Sequence, residues 1–243
     1  MPDLTVAIVY PELLGLYADR GNAIALRHRA ELRGLSCEVR DIHLGEALPE
    51  AVDVYIIGGG EDAALGPAIR ELRSQRALVG APDRGAVVLG VCAGFQLLGR
   101  RLEAPDGSSV EGLGMLDIES RPLPDRRAVG EIAVQSPLLG ELQGFENHRG
   151  DALLGEGVTP IGTVEHGVGN GHGNQEGAID GNVVGTYLHG PALVRNPVFA
   201  DYVLAGATGA ELEPVEDELV ERLRAERRAA LVHERRGRRR RRW

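Results

Sequence analysis

At 243 residues, with 43% hydrophobic and 26% charged residues, the chain has the composition of a globular protein long enough to bury a substantial core. No run approaches the roughly 18 apolar residues of a membrane span, and no basic-then-apolar leader opens the sequence, so a cytoplasmic location is expected. Seven arginines fall between Arg235 and Arg242; subtracting them from the formal net charge of −9 leaves −16 for the rest, a balance that argues against general nucleic-acid binding.

Leu4 to Tyr10 is a β-branched apolar run and reads as a buried first strand. A loop, P-E-L-L-G-L-Y-A-D-R-G, follows, and Asn22 is expected to cap a helix reaching Arg33, with Gly34 as its stop. Cys37 to Ile42 and Val52 to Ile57 read as strands, the latter running into Gly58-Gly59-Gly60. A helix is expected from about Gly66 to Val79, then a strand over Ala86 to Val91 that meets Cys92 and a helical segment from Ala93. This rhythm predicts an open α/β sheet, mostly parallel and flanked by helices, in a single domain.

Beyond Arg101 the apolar runs shorten. Strands, partly antiparallel, are expected at Gly130 to Val134, Gln143 to Asn147, Pro160 to Val164, Gly177 to Ile179 and Val183 to Tyr187, and helices at Pro197 to Ala207 and Val215 to Val232. The glycine-dense stretch Gly167 to Gly177 reads as a mobile or ligand-skirting loop. The domain is expected to span residues 1–234, and residues 235–243 to form a disordered, solvated tail able at most to touch an anionic membrane surface.

The chemistry centres on G-V-C-A-G-F-Q, Gly90 to Gln96. A cysteine between a buried strand and a helix N-terminus lies where unpaired N–H groups favour a thiolate. Its base must come from another loop at the same sheet edge, and His189, following the strand Val183 to Leu188, meets that requirement. His148, in G-F-E-N-H-R-G, is the competitor. Gly59 and Gly60, free of side chains, and the N–H of Ala93 are candidate oxyanion donors. The two cysteines, Cys37 and Cys92, are too far apart in sequence to suggest a disulfide framework or a zinc site. There is no lysine, which excludes a phosphate loop of the G-x-x-x-x-G-K-[ST] kind. Any ATP-driven step therefore belongs to another chain.

I-I-G-G-G-E-D (Ile56 to Asp62), G-V-C-A-G-F-Q and G-T-Y-L-H-G-P (Gly185 to Pro191), in that order, resemble the class I, triad-type glutamine amidotransferases. These have a flavodoxin-like α/β fold. G-T-Y-L-H-G-P with the upstream G-F-E-N-H-R-G is similar to the cobyric acid synthase-type branch, and Y-A-D-R-G-N (Tyr17 to Asn22) to glutaminase subunits of lipid II isoglutaminyl synthases. The resemblance implies that Cys92 attacks glutamine to form a γ-glutamyl thioester and that His189 shuttles the proton. It implies that Gln96 contacts the bound glutamine, that Arg127 or Arg126 binds its carboxylate, and that Asn147 and His148 belong to the substrate-binding set. It also implies no cofactor and no metal in this chain, ATP on a Mur-ligase-like partner subunit, and lipid II reached through that partner. Other readings are a cobyrinic acid-type glutaminase, a different Cys-His hydrolase of this fold, and a silent glutamine-binding scaffold. Many class I members carry a glutamate two residues after the histidine, where this chain has Pro191. A carboxylate from elsewhere, a backbone carbonyl or the partner would then orient His189, or a Cys-His dyad would suffice; an isolated subunit with an incomplete triad is expected to be a slow glutaminase.

Overall fold

The computed structural model describes residues 2–15, 19–104, 106–123 and 127–240, with side chains described as far as residue 231. Its elements in chain order are β1 (Leu4–Val9), α1 (Pro11–Leu14), α2 (Arg20–Glu31), β2 (Cys37–Ile42), β3 (Val54–Ile57), α3 (Asp62–Leu72), α4 (Arg76–Val79), β4 (Val87–Val91) and α5 (Ala93–Leu98). There follow β5 (Arg101–Glu103), β6 (Ser109–Glu111), β7 (Ile118–Pro122), β8 (Ala128–Ser136), β9 (Gly140–His148), β10 (Gly150–Leu154) and β11 (Gly162–His166). The remainder are β12 (Gln175–Glu176), β13 (Ala178–Asp180), β14 (Val183–Thr186), α6 (Ala192–Arg195), α7 (Pro197–Thr208) and α8 (Glu218–Arg240).

Every residue of β1, β3, β4 and β14 is buried, as strands covered on both faces require, and their sequences are near-continuous apolar runs for that reason. They join β2 and β13 in a six-stranded sheet of order β13-β14-β4-β3-β1-β2, parallel throughout except for the antiparallel edge strand β13. The expected open, mostly parallel α/β sheet is thus present. Two four-stranded sheets, β10-β7-β5-β6 and β12-β11-β8-β9, accompany it. The hairpin of β8 and β9 is longer at both ends than its apolar runs suggest. β5, β6 and β7 are not visible as apolar runs because their exposed positions carry charges and a serine, and β10 is five residues long with a buried aspartate, Asp151, in it.

Several boundaries differ from expectation for identifiable reasons. Asn22 does not cap α2, whose N-cap is Asp19; Asn22 is buried in the first turn and its Oδ1 accepts the N–H of Leu193 at 3.0 Å. The helix expected over 66–79 is two helices, broken at Ser74 and Gln75, where the Gln75 side chain instead accepts the N–H of Leu48. The glycine-dense stretch is a packed loop. Val168 and Gly169 donate their N–H groups to the buried Glu146 carboxylate, and Asn170 exchanges two hydrogen bonds with Gly177. The chain up to Glu213 forms one compact unit, and the described residues from Pro214 on form a second. There α8 continues through Arg235, where a disordered tail is expected, because arginine is a strong helix former and extends the turn already begun; residues 241–243 lie outside the described residues. No helix among the described residues is long and apolar enough to cross a membrane.

The turn from β4 into α5 has no room for side chains. A Cβ on Gly94 would lie 1.9 Å from the carbonyl oxygen of Ile57, and one on Gly90 would lie 2.6 Å from Leu98 Cδ1. The Gly94 N–H donates to Gly58 O at 3.1 Å, which ties the turn to the end of β3. Because the obstacle is backbone, Gly94→Ala must push α5 away from β3. A loss of about 1–3 kcal/mol, typical of overpacking, is expected in chemical denaturation, together with slower alkylation of Cys92.

Candidate active site

In the sheet order β14-β4-β3-β1, four adjacent parallel strands deliver four groups to one edge. β14 leads to His189, β4 to Cys92, β3 to Gly58-Gly59-Gly60, and the connection after β1 leads to Asp19. Ligands of open parallel sheets bind beyond this carboxyl edge.

Cys92 has φ 53° and ψ −104°, a strained conformation for a residue with a side chain, and its N–H is held by Thr186 O at 2.8 Å. The strain is fixed by the packing of Gly90 and Gly94, and it aims the thiol out of the strand end. The Cys92 Sγ lies 4.0 Å from the carbonyl oxygen of Asn147. His189 is positioned by its backbone, which pairs antiparallel with Phe145: the His189 N–H donates to Phe145 O at 2.8 Å, and the His189 carbonyl accepts the Phe145 N–H at 3.0 Å. The β8–β9 hairpin thereby holds the histidine at the end of the parallel sheet.

His189 is 1% exposed, and its Nδ1 lies 3.5 Å from Oδ1 of Asp19, itself 1% exposed. Oδ2 of the same carboxylate accepts the Gly59 N–H at 2.6 Å. Burial by itself lowers the pKa of His189, but the hydrogen bonds and charges of Asp19 and Cys92 outweigh it and raise the value to about 10. His189 therefore keeps its proton at neutral pH, beside the sulfur. A Cβ on Gly59 would fall 2.9 Å from His189 Cε1, 3.1 Å from Asp19 Oδ2 and 3.6 Å from Cys92 Cβ, so three reactive side chains converge on one residue that must be glycine.

Asn147 and His148 are successive strand residues and point to opposite faces. Asn147, whose backbone carbonyl lies by Cys92 Sγ, accepts at its side-chain Oδ1 a hydrogen bond from the exposed Arg127 Nε at 2.6 Å. His148 turns inward. Its ring stacks on Tyr187 at 3.7 Å, and Nδ1–H donates to Gly150 O at 2.9 Å. It is 3% exposed, and its Nε2 lies 3.8 Å from Glu146 Oε2. Gln96 donates to Tyr187 Oη at 3.2 Å and lines a cavity of about 190 Å³ with Gly150, Arg121 and Arg149. The Gly59 N–H, expected as an oxyanion donor, instead donates to Asp19 Oδ2. Gly60, from the turn after β3, and Ala93, from the start of α5, remain. Arg126 lies outside the described residues. Among the described residues no group of acidic, histidine or cysteine side chains has the arrangement of a metal site.

Asp19 is the residue that sequence reasoning missed. It sits in the Y-A-D-R-G-N block, about 170 residues from His189, and nothing in its spacing signals that contact. The available signal was the block itself, whose charged and glycine residues form no amphipathic pattern of their own.

A buried thiol on a strained strand-to-helix turn, with a protonated histidine and a carboxylate behind it, is the equipment of a hydrolase that acts through a cysteine thioester. The model of the CobB/CobQ-like glutamine amidotransferase domain matches residues 5–197, and the chain belongs to that family. It is 37% identical to the lipid II isoglutaminyl synthase (glutamine-hydrolyzing) subunit GatD of Staphylococcus aureus (strain N315), over 89% of this chain and 90% of that one. To the protein of the same name from Streptococcus pneumoniae (strain ATCC BAA-255 / R6) it is 33% identical, over 79% and 76% of the two chains. A cobyric acid synthase of Mesorhizobium japonicum is 37% identical, but the match covers 63% of this chain and 31% of that protein. Among solved structures, a glutamine amidotransferase superposes with a TM-score of 0.58 at 21% identity, covering 84% of this chain and 99% of the other.

The two histidines are separable by experiment. His148→Ala removes a buried stacked ring and is expected to cost roughly 2–4 kcal/mol in denaturant unfolding, with little change in the pH dependence of Cys92 alkylation. His189→Ala is expected to displace that pH dependence toward an ordinary thiol.

Proposed function

We propose that this chain is the glutaminase subunit of a lipid II isoglutaminyl synthase. The observation that carries the reading is the meeting of Cys92, His189 and the glycine turn at one sheet edge, in a chain that matches the GatD subunits over most of both lengths. The Cys92 thiolate, its proton held by His189, attacks the side-chain carbonyl carbon of glutamine, and the carbonyl π electrons move onto the oxygen. The N–H groups of Gly60 and Ala93 face the oxygen as it gains charge. The C–N bond then breaks, His189 gives its proton to the departing nitrogen, and ammonia leaves a γ-glutamyl thioester on Cys92. His189, now neutral, takes a proton from water; hydroxide adds to the thioester carbon, the C–S bond breaks to return the Cys92 thiolate beside protonated His189, and the carboxylic acid loses its proton to solvent as glutamate.

Gln96 contacts the bound glutamine. Arg127, held by Asn147, binds the α-carboxylate, for which a guanidinium offers paired donors. The ammonia is used on a second chain, a Mur-ligase-like subunit that holds ATP and activates the D-glutamate α-carboxylate of lipid II. The absence of lysine from this chain, and with it of a phosphate loop, supports that division of labour. The work belongs in the cytoplasm, where ATP and glutamine are supplied. The cobyric acid synthase match spans under a third of that protein, so the subunit reading accounts for more of both chains.

Glutamate release from free glutamine tests the reading. Cys92→Ala should abolish it. Arg127→Ala should raise KM tenfold or more with a smaller effect on kcat, because the lost contact is a binding contact. Purification of the full chain with its native partner should yield an ATP-binding ligase of the Mur type, and a cobalamin-pathway ligase in its place would overturn the assignment.

A further inference from the structure

We propose that Asp19 is the positioning residue for His189, supplied in cis by the connection between β1 and α2, and that the same carboxylate sets the Gly58–Gly60 turn. The inference rests on the glutaminase reading above and deepens it.

The first argument is docking. Each described residue of the Y-A-D-R-G-N block that faces inward engages the segment around His189 or the glycine turn. Asp19 approaches His189 and Gly59, a Cβ on Gly21 would lie 2.2 Å from Pro191 Cγ, and Asn22 Oδ1 accepts the Leu193 N–H. The other side of the turn is equally closed, with a Cβ on Gly58 lying 2.1 Å from Leu14 O. Pro191, which stands where other amidotransferases place their acid, is therefore the surface on which the α2 start seats. The block seated there carries an acid of its own.

The second argument is valence. Asp19 engages with both oxygens: Oδ2 accepts the Gly59 N–H, and Oδ1 stands against His189 Nδ1 as an ion-pair contact. A proton fixed on Nδ1 leaves Nε2 to exchange with sulfur. The 3.5 Å separation is longer than a tight hydrogen bond and has room to shorten when substrate fills the site. The charged and titratable groups facing His189 are Asp19 from the α2 start, Cys92 from the β4–α5 turn and Glu176 from β12. Glu176 Oε1 accepts the Thr186 hydroxyl and the Tyr187 N–H, whereas Asp19 Oδ1 stands 3.5 Å from the imidazole Nδ1 itself, the contact that orients the ring.

The test uses the full-length chain and the variants Asp19→Asn, Asp19→Ala and Asp19→Glu. An amide has one acceptor oxygen where the carboxylate has two, so in Asp19→Asn either Gly59 or His189 loses its partner. Expected for Asn and Ala is a fall in kcat of roughly 10²- to 10⁴-fold, with KM for glutamine little changed. The pH profile of Cys92 alkylation by iodoacetamide should be displaced, and Glu should recover part of both. Wild-type kcat and profile in Asp19→Ala would overturn the proposal. So would a loss of thermal stability with an unmoved alkylation profile, which marks a structural role only. The glutaminase reading fails separately, if the wild-type chain with its native partner releases no Cys92-dependent glutamate; the alkylation profile needs no turnover and still decides the role of Asp19.

Discussion

The approach of α5 to the end of β3 is the constraint on which the site depends. With the Gly94 N–H bonded to Gly58 O, and no space for a Cβ between Gly94 and Ile57 O, the helix start and the glycine turn are one unit. Cys92 cannot relax from its strained backbone without opening that contact. Because β3 and β4 are paired from Val54–Val87 to Ile57–Gly90, the strain is borne by the buried centre of the sheet, where packing is least able to yield. The thiol is placed before any substrate arrives, and the free energy for holding it there comes from folding.

Burial sets the electrostatics of the second group. An imidazolium 1% exposed to solvent is costly unless opposite charge stands beside it. Asp19 and Cys92 supply that charge and carry the His189 pKa past its burial penalty to about 10. By linkage, a raised histidine pKa contributes stability that is fully present below about 6.5, the unfolded value. That contribution is lost as pH rises through the folded value of about 10. The arrangement that readies the proton for the leaving nitrogen therefore also stabilises the fold throughout the neutral range.

What the sequence disclosed follows from the range of its signals. The buried parallel strands were legible because apolar residues run through them without interruption, and the Cys92 turn because glycine, cysteine and glycine sit within five residues. Cys92 and His189 could be paired in advance, since both lie at strand ends that a parallel sheet must place on one edge. Short strands such as Arg101–Glu103 leave too little period to read. Asn147 and His148 could not be told apart in advance, because one step along a strand reverses the face: the Asn147 carbonyl lies by Cys92 Sγ while the His148 ring stacks on Tyr187. Asp19 was invisible because its contacts are formed by tertiary docking of α2.

That docking explains how a histidine can lack an acid nearby in sequence and still possess one. Pro191 removes the carboxylate from the His189 segment, yet its ring fills the space left by Gly21 and so seats the loop that presents Asp19. The acid has moved from the strand that carries the base to the helix that packs over it. One consequence is a coupling that a glutamate on the same strand would not create. A carboxylate with one oxygen on His189 and the other on Gly59 makes the orientation of the base and the shape of the glycine turn a single variable. Any displacement of the α2 start, whether by mutation or by a chain seated against it, must then change proton transfer and oxyanion geometry together.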